Sequence, residues 1–141
     1  MHDRDTKIRD VMTVNPRAVD SSTTVEEAAR LMKKEDVGPL PIVENGAVTG
    51  VLTDRDIVLR VVAEGKDPSR TDVGEIATHD LVTIDPDQTL DEAMRLMARH
   101  KVRRLPVCEE DGRLVGIVAQ ADVALQGHDA RTGQVVEEIS R

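Results

Sequence analysis

The stretch Gly50-Val51-Leu52-Thr53-Asp54-Arg55-Asp56-Ile57-Val58 decides the fold, because an apolar strand runs straight into a helix whose first turn carries a hydroxyl and two carboxylates. A second stretch, Gly116-Ile117-Val118-Ala119-Gln120-Ala121-Asp122-Val123-Ala124, keeps the glycine, the strand and the later acidic residue but has alanine in place of the hydroxyl. Working outward, residues 6–44 align without a gap on residues 71–109, with identities that include Thr13/Thr78, Asp20/Asp85, Thr24/Thr89, Glu27/Glu92, Met32/Met97, Leu40/Leu105 and Pro41/Pro106. After a one-residue insertion the match resumes at Gly46/Gly112, Gly50/Gly116 and Asp56/Asp122. An internal repeat of this length divides the chain into a first copy (6–63), a polar linker (64–70), a second copy (71–126) and a C-terminal tail (127–141).

Each copy reads as the same series of elements. A short helical turn, Thr6 to Met12 or Thr71 to Ala77, leads into an extended piece, Arg17 to Asp20 or Leu81 to Asp85. Thr24-Val25-Glu26-Glu27 and Thr89-Leu90-Asp91-Glu92 then fit the capping box, in which hydroxyl and carboxylate each accept from the other residue's backbone N–H. The helices that follow place Val25, Ala28, Ala29 and Met32, or Leu90, Ala93, Met94 and Met97, on one apolar face, so the methionines read as core. Strands Leu40 to Val43 and Ala47 to Leu52, and Leu105 to Cys108 and Leu114 to Ala119, flank glycine-bearing turns. A closing helix runs over about Asp54 to Ala63 and Gln120 to Leu125. The expected class is mixed α+β, with two β-α-β-β-α repeats paired about a pseudo-twofold axis so that each covers the other's apolar sheet face.

Composition narrows the function. A formal charge of -8 with no basic stripe argues against a nucleic-acid partner, and the absence of Phe, Tyr and Trp removes the aromatic platform for single-stranded bases. No apolar run approaches membrane-spanning length and no secretory leader is visible, so a cytoplasmic location is expected. The single cysteine, Cys108, reads as a small core hydrophobe. His2, His79, His100 and His128 are scattered without metal-ligand spacing, and no phosphate loop or nucleophile elbow is present, so neither a metal site nor an enzyme is expected. In the tail, Val135, Val136 and Ile139 can form one apolar helical stripe.

Two readings fit Thr53-Asp54-Arg55-Asp56. One is a plain helix cap, with Thr53 at the N-cap and acidic groups favoured in the first turn. The other is a nucleotide site, with the Thr53 hydroxyl and free N–H groups meeting a phosphate and Asp56 accepting from both ribose hydroxyls. Arg103 and Arg104 likewise read either as a solvated basic pair or as an anion trap in an acidic protein.

The order helix, Thr-x-x-Glu-Ala, Val-x-x-Leu-Pro-Val, Gly, then Gly-h-h-Thr-x-x-Asp, where h is apolar, resembles the cystathionine beta-synthase (CBS) domain. Two in tandem, from about Lys7 to Leu125, resemble the Bateman module of small stand-alone bacterial two-CBS proteins. The resemblance implies a non-catalytic regulatory module that binds AMP, ADP, ATP or another adenosyl compound between its repeats, needs no other cofactor, commonly forms a homodimer and signals to an unidentified downstream target. It implies a better site at Thr53, Asp56, Thr78, Leu81, Val82, Val102, Arg103 and Arg104. It implies a weaker one at Asp122, Ala119, Thr13, Arg17, Ala18 and Val37, since Ala119 offers phosphate no hydroxyl. The alternatives are a dimerisation or interaction module with an empty cleft, or a binder of S-adenosylmethionine or NAD(H).

Overall fold

The computed structural model describes residues 6–129, with side chains through Leu125; the tail residues Val135, Val136 and Ile139 lie outside that range. The described residues form two compact units, one over 17–81 and the other from the segments 6–16 and 82–129. Both mix helix and strand, as the sequence implied.

In the 17–81 unit, α1 (Val25–Glu35) is followed by the hairpin β2 (Leu40–Glu44) and β3 (Ala47–Leu52), then α2 (Asp54–Ile57), a wide π-type turn at Val58–Val62, and α3 (Val73–Ile76). The closing helix expected over Asp54 to Ala63 thus widens after its first turn, where Ala63 N–H reaches back to Val58 O at 2.9 Å. The β2–β3 hairpin is antiparallel, with Leu40 opposite Leu52, and turns at Asn45-Gly46, both with positive φ. Of the extended piece at Arg17 to Asp20, Val19 bridges Ile42 in parallel on one side of the hairpin, and Thr78 bridges Val51 on the other.

The second unit follows the same plan. A 3-10 turn at Ile8–Asp10 leads into β1 (Thr13–Val14); α4 (Leu90–His100), β4 (Arg104–Cys108), β5 (Leu114–Ala119) and α5 (Gln120–Asp129) follow. Its sheet order is β1-β5-β4, with Thr13 opposite Ile117 and Leu105 opposite Val118. Ile84 bridges Val107 in parallel, as Val19 does Ile42.

Local chemistry explains the helices. Thr24 accepts from Glu27 N–H at 3.1 Å while Glu27 accepts from Thr24 N–H at 3.2 Å, and Thr89 and Glu92 repeat the arrangement at 3.2 and 2.9 Å. Both helices end on a left-handed residue, Asp36 and Lys101, at equivalent places in the repeat. The stretch 64–70 is tied to the α1 N-terminus: Glu26 N–H donates to Pro68 O at 3.0 Å and Val25 N–H to Thr71 O at 2.9 Å, satisfying two donors the helix cannot.

Each unit has its own core, and each core takes side chains from both sequence copies. Val25, Ala28, Met32, Leu40, Ile42, Leu52 and Val61 of the first copy close around Val73, Ile76 and Ala77 of the second. Leu90, Ala93, Met97, Leu105, Val107, Val118 and Val123 of the second close around Ile8 of the first. The sequence copies and the compact units therefore differ in the segment that opens each copy, residues 6–16 and 71–81, which includes its short helical turn. Met32 and Met97 are core, as their spacing implied. Cys108 is buried too, and burial pushes its thiol up to about 11, which leaves it an unreactive apolar group.

Candidate functional site

Thr53 is the N-cap of α2. Its Oγ1 accepts from Asp56 N–H at 3.1 Å and Asp56 Oδ2 accepts from Thr53 N–H at 3.0 Å, so the capping reading of this motif is realised in both directions. The Thr53 hydroxyl proton is committed to no partner among the described residues.

The second oxygen of Asp56 is differently placed. Oδ1 accepts from the Thr78 hydroxyl at 3.4 Å and lies 4.0 Å from the Arg60 guanidinium, both long for strong bonds. Asp56 is nonetheless one of two polar side chains buried among the described residues, at 8% exposure, the other being Thr71. A buried carboxylate with one oxygen weakly satisfied is an acceptor in want of a donor.

Thr78 reaches this position because residues 77–79 run beside β3. Thr78 and Val51 exchange both backbone hydrogen bonds at 3.0 Å. Gly50 makes the approach possible: a Cβ there would lie 3.2 Å from Thr78 O and 3.1 Å from His79 Nδ1. Gly116 plays the same part in the other unit, where a Cβ would fall 2.6 Å from Met12 Sδ and 2.9 Å from Thr13 O. The glycine of the repeated motif is thus a close-contact position, with Thr13 and Thr78 as the equivalent neighbours.

The remaining residues expected at the better site divide between the units. Leu81, half-buried, ends the 17–81 unit with Thr53, Asp56 and Thr78. Val82 and Val102 pack on the core of the other unit, to which Arg103 and Arg104 also belong. Both arginines are exposed and neither forms an ion pair among the described residues. Arg103 O accepts from Gln120 N–H at 2.7 Å, which seats the start of α5, and Arg104 pairs with Ala119 across the strands.

The weaker set divides likewise. Thr13, Ala119 and the half-buried Asp122 share a unit, with Thr13 and Ala119 both on strands of its sheet. Arg17, Ala18 and Val37 belong to the 17–81 unit and are exposed, Arg17 lying 3.9 Å from Glu35. That pair is too open to contribute much.

Two residues beside Asp56 had no part in the site the sequence implied. Arg60 donates to Ile76 O at 2.8 Å and Ala77 O at 3.4 Å, and its spacing from Asp56, one helical turn, was the available signal. His79 sits between the carbonyls of Thr49 and Gly74, and nothing in its sequence neighbourhood announces that. Among the described residues no group of His, Cys, Asp and Glu is arranged to hold a metal ion, and no helix is long and apolar enough to cross a membrane.

Comparison with known proteins places these features. The CBS domain family model matches residues 8–63 and 73–126. The CBS domain-containing protein YhcV of Bacillus subtilis is 42% identical over 134 residues, 94% of each chain. Hypoxic response protein 1 of Mycobacterium tuberculosis is 40% identical over 120 residues, 84% of this chain and 83% of that one. A crystal structure described as Hypoxic Response Protein I with two coordinated zinc ions superposes with a TM-score of 0.77 over 84% of this chain and 97% of its own. The CBS domain pair of protein MJ0100, solved with 5-methylthioadenosine and S-adenosyl-L-methionine, does so with a TM-score of 0.79 at 27% identity, over 89% of this chain and 98% of its own. With a repeated strand-to-helix motif in each unit, and with family matches over both copies, this chain belongs to the CBS domain family and carries two such domains in tandem.

Proposed function

We propose that the chain is a non-catalytic ligand sensor that binds an adenosyl compound, with Asp56 receiving the ribose hydroxyls and Thr53 the phosphate. The observation that carries this reading is the buried Asp56 carboxylate, whose Oδ2 is fixed by Thr53 N–H while Oδ1 has, among the described residues, two long contacts, to Thr78 at 3.4 Å and Arg60 at 4.0 Å. A pair of vicinal hydroxyls supplies the strong donors that oxygen lacks. Arg103 and Arg104, exposed and without an ion pair among the described residues, are the cationic side chains that a phosphate-bearing ligand such as AMP, ADP or ATP would recruit, by the family resemblance. The second motif has Ala119 for Thr53, so its Asp122 anchors the weaker site. On this reading the protein works in the cytoplasm as a homodimer, without nucleic acid or membrane, and passes ligand occupancy to a downstream partner as a change of conformation or assembly.

Two variants of the reading have support of their own. The MJ0100 pair was solved with 5-methylthioadenosine and S-adenosyl-L-methionine, which favours an adenosyl ligand without phosphate over a nucleotide. The exposed apolar side chains Val58, Leu59 and Val62 favour a module whose chief task is assembly. Thermal melting with AMP, ADP, ATP, S-adenosylmethionine and NADH separates the three. A ligand at 100 times its Kd adds about 2.7 kcal/mol of stability, so one adenosyl compound should raise the midpoint visibly. A melt unmoved by every member of the panel would leave assembly as the function.

A further inference from the structure

His79 is held between two acceptors. Its Nδ1 lies 3.0 Å from Thr49 O on β3 and its Nε2 lies 2.9 Å from Gly74 O on α3. Carbonyl oxygens only accept, and a neutral imidazole carries one N–H, so only the imidazolium satisfies both contacts. In the neutral ring, one nitrogen lone pair must face a carbonyl oxygen, and one of the two contacts is lost.

The consequence reaches Asp56 through one residue. Thr78, adjacent to His79, is bonded to Val51 on β3 at both its N–H and its carbonyl, and its hydroxyl donates to Asp56 Oδ1. Gly50 leaves the space the ring occupies, with a Cβ there lying 3.1 Å from Nδ1. Arg60 also holds this segment, by the carbonyls of Ile76 and Ala77. We propose that His79 is a positioning residue for the Asp56 site: as the imidazolium it clasps residues 74–79 to β3 and sets Thr78 against Asp56, so that proton binding at His79 tightens adenosyl-ligand binding. The link to ligand rests on the function proposed above; the clasp itself does not.

The hydrogen bonds at the ring outweigh the charge beside it. Hydrogen bonds to the Gly74 and Thr49 carbonyls raise the His79 pKa above its ordinary 6.5, while burial and the Arg60 charge pull the other way without prevailing. β3 presents no ionisable side chain, α3 presents Glu75, and Asp80 follows the ring in sequence. Because the folded-state pKa is the higher one, the clasp's contribution is fully present below about pH 6.5 and is lost as pH rises through the folded-state value. The ring is exposed, so solvent protons reach it directly.

The test uses the full chain and its His79→Gln variant, whose single amide nitrogen cannot span both carbonyls. Ring NMR across pH 5.5–9 assigns His79 as the signal missing in the variant, and calorimetry with AMP at both ends of the range gives the affinities. We expect a ring titrating above 6.5, a several-fold weaker AMP affinity at high pH in the native chain, and a smaller change in the variant, whose behaviour removes the ligand's own titration. A ring titrating at or below 6.5 overturns the clasp. A high titration with equal pH dependence of affinity in the two chains overturns the coupling alone. No AMP binding by either chain at either pH overturns the coupling together with the AMP reading, and the ring titration still decides the clasp.

Discussion

At Asp56 the two carboxylate oxygens have different surroundings because the helix start demands one of them. Oδ2 completes a capping box with Thr53, of which the sequence showed Thr53 as the N-cap and Asp56 as a first-turn acid. The state of Oδ1 was not legible, since it depends on how closely residues 77–79 approach β3, and that is set by Gly50 rather than by the motif's acidic members. Gly116 makes a sharper case. Adding a Cβ there meets Met12 Sδ at 2.6 Å and Thr13 O at 2.9 Å, one of them backbone that cannot swing away. Gly116→Ala should therefore cost about 1–3 kcal/mol in denaturant unfolding, and Gly50→Ala, with contacts of 3.1–3.3 Å, clearly less. His79 and Arg60 escaped the sequence for a related reason. Their partners are backbone carbonyls, and every residue has one.

At the scale of elements, hydrophobic spacing and capping pairs located the long helices and the hairpins, because those signals lie within a dozen residues of each other. What spacing could not tell is which core the opening helical turn of each copy enters. Thr6 to Met12 and Thr71 to Ala77 align with one another and look like the natural start of their own copies. Yet Ile8 is buried with Leu90 and Leu105, and Val73 with Val25 and Leu40. The backbone agrees, with Ile8 N–H donating to Gln88 O and Val73 N–H to Thr23 O. A local pattern is blind to such an exchange because both partners offer the same apolar surface. Ile8→Ala should cost about 2–5 kcal/mol of stability, the range for emptying a fully buried aliphatic site. Hydrogen exchange should show the loss in α4 and β4 rather than in α1 and β2. Equal loss of protection in α1 and β2 would contradict the exchange.

For the molecule as a whole, the inequality of the two copies is the functional statement. Both retain the glycine, the strand and the acidic residue, and both build the same antiparallel hairpin, so duplication has been kept where it holds the fold together. They differ at positions the proposed ligand site uses: Thr53 against Ala119, Gly38-Pro39 against Arg103-Arg104. The sequence carried this asymmetry plainly because it is a matter of residue identity, whereas the ligand itself is a matter of cavity shape that no motif encodes. Isothermal calorimetry with AMP, ATP and S-adenosylmethionine on the native chain, Asp56→Ala and Asp122→Ala tests the claim most directly. The best of these ligands should lose at least about tenfold in affinity, about 1.4 kcal/mol, with Asp56→Ala and far less with Asp122→Ala. Equal losses in the two variants, or native affinity retained by Asp56→Ala, would contradict it.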